Sequence, residues 1–466
     1  MVTQYQKDYI RTTLTICNLM IGTSLLALPY TYMRLGWPVA SIVTIFSVVY
    51  SIFGFNYVID ACYYTSCQTL SDLLTQLFGK VISIIIEAFI VFQYFGYLIS
   101  YVSICADYTQ IFIVSISNYS FSTIYLKIII FGMLTFFLIF KTLKSISNLS
   151  AAQQLFVVIA VVCVVVFYGI AVQAGETLIN INGTQSTIKL SNKGLLAKPV
   201  HTRGIYIFLE IIQRIPLFLP LFGCQASVPV VFNVMPGDGD YRRGVLKKAM
   251  ITATLVTCTL CVFMAFFCLF LFGRDISTNV LLSFVSQNYV MTTVRFLYAL
   301  VVLLTYVVVT FPIRGMFMKI FKQDKNTNKG YLIYVILGGA MAFLSCGFSI
   351  LVPDILKVFN IVSSVFGFIE NWILPILFLY KHEDMKIAYE QRICKEYSEG
   401  LTVSGNVDKM ELEEIMQEAP QQIKKKLNIK NLVFLLTGCF FIVLLNGASF
   451  ILSTFFDMAS TKFITK

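Results

Sequence analysis

The chain has 466 residues, 58% of them hydrophobic and 13% charged, with a formal net charge of +11 and a mean hydropathy of +0.80. These totals exclude a soluble globular protein, which needs far more polar surface to cover a chain of this length. The basic excess does not indicate nucleic-acid binding, because lysines and arginines collect in alternate loops between apolar runs and not in one patch.

Apolar runs of about 20 residues, enough to cross a bilayer, recur from one end to the other. The expected fold is an all-α polytopic membrane protein. The opening segment 1–11 is short, polar and slightly basic, with no cleavable signal peptide evident. Eleven spans follow: Thr12–Leu35, Pro38–Tyr64, Val81–Val114, Ile124–Phe140, Ala151–Val172, Ile205–Met235, Ala249–Phe272, Val290–Ile313, Tyr331–Val352, Ile355–Tyr380 and Leu432–Phe456. One set of loops holds Lys7 and Arg11, Lys141 and Lys144, Arg242 to Lys248, Arg314 to Lys329, and Lys424 to Lys426. The positive-inside rule makes that set cytosolic, which puts the amino terminus inside and the carboxyl terminus outside.

The outer segment 173–204 then contains the glycosylation sequon at Asn182, and the loop after the third span contains another at Asn118. A third match, at Asn148, lies in an inner loop. The segment 381–431 is a charged cytosolic insertion, expected to form one or two surface helices and read as a solvated linker or as a regulatory or lipid-headgroup contact. Twelve cysteines fall in or beside apolar runs or in inner loops, so no structural disulfide is expected.

Two spans weaken their own helices. The first reads NLMIGTSLLALPY, with Gly22, Thr23 and Ser24 in mid-span; these residues favour turns and caps over helix interiors. The sixth contains Pro216, Pro220, Gly223 and Pro229, and proline removes a donor and clashes with the preceding turn. These two spans open two five-helix halves, 12–172 and 205–380, which an odd count turns into opposite orientations. Interrupted helices at matching positions of inverted repeats point to a transporter's substrate site. Amides freed at Ile21, Gly22, Thr23 and Ser24 suit a carboxylate. Carbonyls freed at Phe222, Gly223, Cys224 and Gln225 suit an ammonium group. Close helix packing through small residues is the alternative for either interruption.

The segment NLMIGTSLLALPYTYMRLGW resembles the first-helix signature of the amino acid/auxin permease family, within the amino acid–polyamine–organocation superfamily. QYFGYLISYVSICAD, PLFGCQASVPVVF, TYVVVTFPIRGMF and NIVSSVFGFIENWILPILFLY agree with it, the last two resembling the sodium-coupled neutral amino acid branch. The resemblance implies a LeuT-like 5+5 inverted repeat with an eleventh helix at 432–456 and an outer tail at 457–466. It implies a substrate site between spans 1, 3, 6 and 8, and it carries cation binding onto Asn18 and Thr305, with the Ile21 carbonyl as a companion. Those are neutral oxygens of the kind Na+ takes; for Thr305 the alternative is a hydroxyl satisfied one turn back. Unlike that branch, the chain has no cysteines in its outer loops, and its sixth span reads Gly-Cys-Gln-Ala-Ser at 223–227 where the branch often places a histidine.

Charged groups inside spans are expensive, about 2.5–3.5 kcal/mol each at mid-helix on insertion scales. Glu210 and Arg214 are four apart, spaced for a local ion pair or an outer gate. Glu370 is expected to pair with another helix or to carry a proton. Glu87 and Asp60 are expected at interfaces, and Arg34 and Arg295 near outer ends, snorkelling. Tyr94, with Phe95 and Tyr97, is a candidate for the substrate's side-chain pocket. These readings describe a secondary active carrier of neutral L-amino acids driven by Na+ or by protons. The alternatives are an amino-acid sensor with little transport and, weakest, a membrane enzyme, since His201 and His382 fall on opposite sides and no metal or nucleophile cluster is visible. No cofactor is expected beyond the coupling ion. The expected partners are the amino acid and the bilayer, in a plasma, vacuolar or lysosomal membrane.

Overall fold

A computed structural model describes residues 3–404, apart from 22–23, 118, 120, 140–148, 182–183, 191–195, 197, 199, 201–209, 212–213, 215–217, 219–220, 286, 325, 353–361, 363–365 and 368. The helices are α1 (Gln4–Met20), α2 (Ser24–Leu35), α3 (Trp37–Thr65), α4 (Leu70–Phe78), α5 (Lys80–Ser117), α6 (Thr123–Phe137) and α7 (Leu149–Ala174). After a hairpin come α8 (Val228–Val234), α9 (Gly239–Phe272), α10 (Tyr289–Ile320), α11 (Asn328–Leu351) and α12 (Leu374–Ser404). Among the described residues, six helices are long and apolar enough to cross a membrane: α3, α5, α7, α9, α10 and α11. The bent pair of α1 and α2 is long and apolar enough, taken together, to count as a seventh. The chain is an all-α polytopic membrane protein. The predicted spans at 205–235 and 355–380 are described in part, and that at 432–456 lies outside the described residues.

Polar side chains set the helix starts. Thr3 and Gln6 form a reciprocal capping box at α1. Asp238, Asn288 and Thr327 accept from backbone N–H groups at the starts of α9, α10 and α11. Gly36, at φ 76°, turns the chain from α2 into α3, and Pro38 follows in the first turn, where no intrahelical donor is lost.

Of those six helices α10 is the most enclosed, 78% buried over its apolar window, and it packs along α5. Around this axis α1 lies on α9, α7 on both α10 and α1, α9 on α2 and α3, and α12 on α3. The outward faces of α3 (Ile42, Ile45, Phe53), α6 (Ile128, Ile129) and α7 (Val162, Val166) are exposed and apolar, as a lipid-facing surface must be.

Four features differ from the sequence expectation. The loop after α7 contains an antiparallel hairpin, β1 (Glu176–Ile181) with β2 (Thr184–Lys189), whose first strand packs against α7 and buries Ile179. Past Tyr380, α12 continues to Ser404. Arg314, counted with the cytosolic cations, lies inside α10 at 0% exposure; it donates to Leu138 O at 2.7 Å and stacks 4.1 Å over the Tyr334 ring. Arg295 does not snorkel: it is 1% exposed, with Nε donating to Leu281 O at 2.8 Å and Nη2 to Phe284 O. In both, carbonyls at chain bends supply acceptors that a hydropathy profile does not register.

Candidate functional site

The first span breaks where Gly, Thr and Ser interrupt its apolar run. Met20 ends α1, and Ile21 is extended (φ −80°, ψ 96°), its N–H still held by Cys17 O at 2.8 Å. Helix resumes at Ser24, with the two axes bent by 58°. Gly22, Thr23 and the side chain of Ser24 lie outside the described residues.

The sixth span breaks at Gly223–Cys224. Leu221 is helical, Phe222 turns, and Cys224 (φ −153°, ψ 31°) leads into a single 3₁₀ turn, Gln225–Ser227, before α8. Pro229 sits in the first turn of α8, where a missing N–H leaves no bond unmade. Pro216 and Pro220 lie outside the described residues.

The interruption faces a π-helical turn, Ile369–Ile373, at the start of α12, a geometry that recurs at functional sites. Glu370, 1% exposed, accepts through Oε1 from the Tyr94 hydroxyl at 2.7 Å and from the Ala226 N–H at 3.0 Å. Asn371 donates to Gly367 O at 2.8 Å. A Cβ on Gly223 would lie 1.8 Å from Asn371 Oδ1 and 3.3 Å from Gln225 Oε1, so only glycine admits this approach. Gln93, donating to the Tyr97 hydroxyl at 2.8 Å, lies beside the same carboxyl group.

Around this cluster five buried atoms have no hydrogen-bond partner among the described residues: Gln93 Oε1, Gln225 Oε1 and Nε2, Glu370 Oε2 and Asn371 Oδ1. Four are acceptors. Left dry, each costs about 1–3 kcal/mol, so the arrangement suits a donor-rich guest such as an ammonium group, a proton or water. Tyr94 thus serves the carboxyl group of Glu370, while Phe95 packs edge-on against Phe348 at 5.8 Å.

Two of the three expected cation ligands, Asn18 and Thr305, are bridged by Gln153 in a second cluster. Asn18 Nδ2 donates to Gln153 Oε1 at 2.7 Å, and Gln154 Nε2 donates to Asn18 Oδ1. Gln153 Nε2 donates to Val301 O at 3.1 Å and to Thr305 Oγ1 at 3.4 Å, and the Thr305 hydroxyl donates to Val301 O at 2.9 Å. Sequence reading overlooked Gln153 and Gln154; two adjacent amides near the start of an otherwise apolar span were the available signal.

Glu210 and Arg214 pair at 3.2 Å, and Arg34 of α2 adds two bonds of 2.8 Å to the same carboxylate. Arg214 also lies 5.4 Å over the Tyr30 ring. The triad links α2 to the described residues that precede the second interruption. Asp60, expected at an interface, is 6% exposed; Arg243 and Lys247 lie 2.7 Å from its carboxylate and His382 3.6 Å. Glu87, also expected at an interface, is 5% exposed and accepts from Ser83. Both sequon asparagines, Asn118 and Asn182, lie outside the described residues. Among the described residues no His, Cys, Asp and Glu group has metal-binding geometry.

In comparisons with known proteins, a family model described as transmembrane amino acid transporter protein matches residues 6–399. No curated protein matches the chain.

Proposed function

Because the chain belongs to the transmembrane amino acid transporter family, we propose that it is a secondary active carrier moving neutral L-amino acids by cation symport. The carboxylate of the substrate binds the amides at Gly22, Thr23 and Ser24, the Ile21 N–H, expected to be free, being already held by Cys17 O. Its ammonium group binds at Phe222, Gly223, Cys224 and Gln225, close to Glu370 and Tyr94. The observation that carries this reading is the set of unpartnered buried oxygens at the second interruption. A protein in hydrocarbon tolerates such groups where they line a binding cavity.

In this reading segments 12–172 and 205–380 are inverted repeats, alternating access moves one bundle of spans against the other, and the amino terminus is cytosolic in a plasma, vacuolar or lysosomal membrane. Asn182 and Asn118 are the glycosylation candidates, and Glu210 with Arg214 the candidate outer gate. The coupling ion is Na+ held by Asn18, Ile21 and Thr305. A second reading, proton coupling through Glu370, is favoured by its buried carboxyl group, which has one oxygen unpartnered and meets a tyrosine and a backbone amide instead of a cation.

Uptake of labelled neutral amino acids into proteoliposomes separates the readings. Accumulation under an inward Na+ gradient at equal pH supports Na+ symport, and accumulation under an inward proton gradient without Na+ supports proton symport. Tight substrate binding with no accumulation under either gradient would overturn transport.

A further inference from the structure

The two side chains read as cation ligands, Asn18 and Thr305, have their oxygens engaged by amide N–H groups of α7. Gln153 is fully enclosed, at 0% exposure. Its Nε2 reaches both Val301 O and Thr305 Oγ1, its Oε1 holds Asn18 Nδ2, and Gln154 covers Asn18 Oδ1. Val301 O also accepts from the Thr305 hydroxyl and, within the continuous α10, faces the backbone N–H one turn on. A hard cation at this place needs lone pairs from the same oxygens. Amide hydrogens, which carry partial positive charge, already hold a lone pair of Asn18 Oδ1 and of Thr305 Oγ1 and stand where the ion would approach.

We propose that the Gln153 amide is an internal occupant of the cation position, tying α1 to α10 by neutral hydrogen bonds, and that Na+ and this amide compete for the same oxygens. The inference rests on the reading of Asn18 and Thr305 as a cation position. Competition follows from geometry. An ion taking Thr305 Oγ1 and Val301 O displaces Gln153 Nε2. The amide is one rigid plane, so its Oε1 then leaves Asn18 as well. Ion occupancy therefore exchanges an α7-mediated link between α1 and α10 for a direct one.

The test is equilibrium binding of radiolabelled Na+ to the purified full-length protein. Gln153→Glu keeps the shape of the side chain and replaces the N–H donors by an anionic oxygen, turning the occupant into a ligand. Gln153→Ala removes the occupant. The expected result is tighter Na+ binding in both variants. The gain is at least about tenfold for Gln153→Glu, since a charge added within contact distance is worth more than 1.4 kcal/mol even at high effective dielectric. It is smaller for Gln153→Ala. Adding Thr305→Val to Gln153→Glu should remove most of the gain. Unchanged or weaker Na+ binding in both single variants, with an intact substrate-induced thermal shift showing that they are folded, overturns the occupant. If Asn18→Ala and Thr305→Val alone leave Na+ binding unaltered, the cation position itself falls. If those two weaken binding while the Gln153 variants change nothing, only the occupant falls.

Discussion

Replacing Glu370 by glutamine changes one oxygen to an NH2 at constant shape, and the surrounding bonds dictate how the new amide sits. Glu370 Oε1 accepts from Tyr94 at 2.7 Å and from Ala226 N–H at 3.0 Å, so the amide oxygen must take that place. The NH2 then falls where Oε2 was, a position with no hydrogen-bond partner among the described residues. The variant reproduces a glutamic acid that cannot release its proton. Each oxygen it satisfies is worth about 1 kcal/mol. Glu370→Ala does the opposite, leaving the Tyr94 hydroxyl and the Ala226 N–H without an acceptor at about 1–3 kcal/mol each. Thermal unfolding in detergent should therefore place Glu370→Gln at or above the wild-type midpoint and Glu370→Ala lower by on the order of 5 °C. In proteoliposomes Glu370→Gln should retain exchange of internal for external substrate and lose proton-driven accumulation. An alanine variant as stable as the glutamine variant would refute the hydrogen-bond argument, and proton-driven accumulation by Glu370→Gln would refute the proton carrier.

Gly223→Ala brings a Cβ to 1.8 Å from Asn371 Oδ1; the expected strain is about 1–3 kcal/mol, with uptake reduced at least about tenfold, as initial rates will show. Glu210→Gln leaves Arg34 and Arg214 facing each other without a carboxylate, at about 3–5 kcal/mol for a fully buried pair and less here because Arg34 is partly exposed. A lowered unfolding midpoint that Arg34→Met partly restores is the expected reading. Arg314→Lys loses the planar stacking on Tyr334 and weakens the bond to Leu138 O; about 1–3 kcal/mol of stability should disappear, measured by thermal unfolding.

Much of this protein is local in origin. Long apolar runs specify membrane-crossing helices because hydrocarbon leaves backbone groups no partner outside the helix. Gly, Thr and Ser at 22–24 and the prolines and glycine around Gly223 marked helix-breaking propensity, which is a property of neighbouring residues, and α1 and α8 stop and restart beside them. The spacing of Glu210 and Arg214 likewise foretold their pair. What the chain's order could not disclose is which distant groups meet. Arg34 lies 176 positions from Glu210, Tyr94 lies 276 from Glu370, and Asn18 lies 135 from Gln153. Such partners are chosen by how spans pack, and the packing depends on side-chain volumes and backbone approach across the bundle, such as the glycine at 223 that admits Asn371. Hydropathy alone would expel Arg295 and Arg314 to the surface. Tertiary structure keeps them inside, because carbonyls left at the ends and bends of other segments lie within reach of their guanidinium groups.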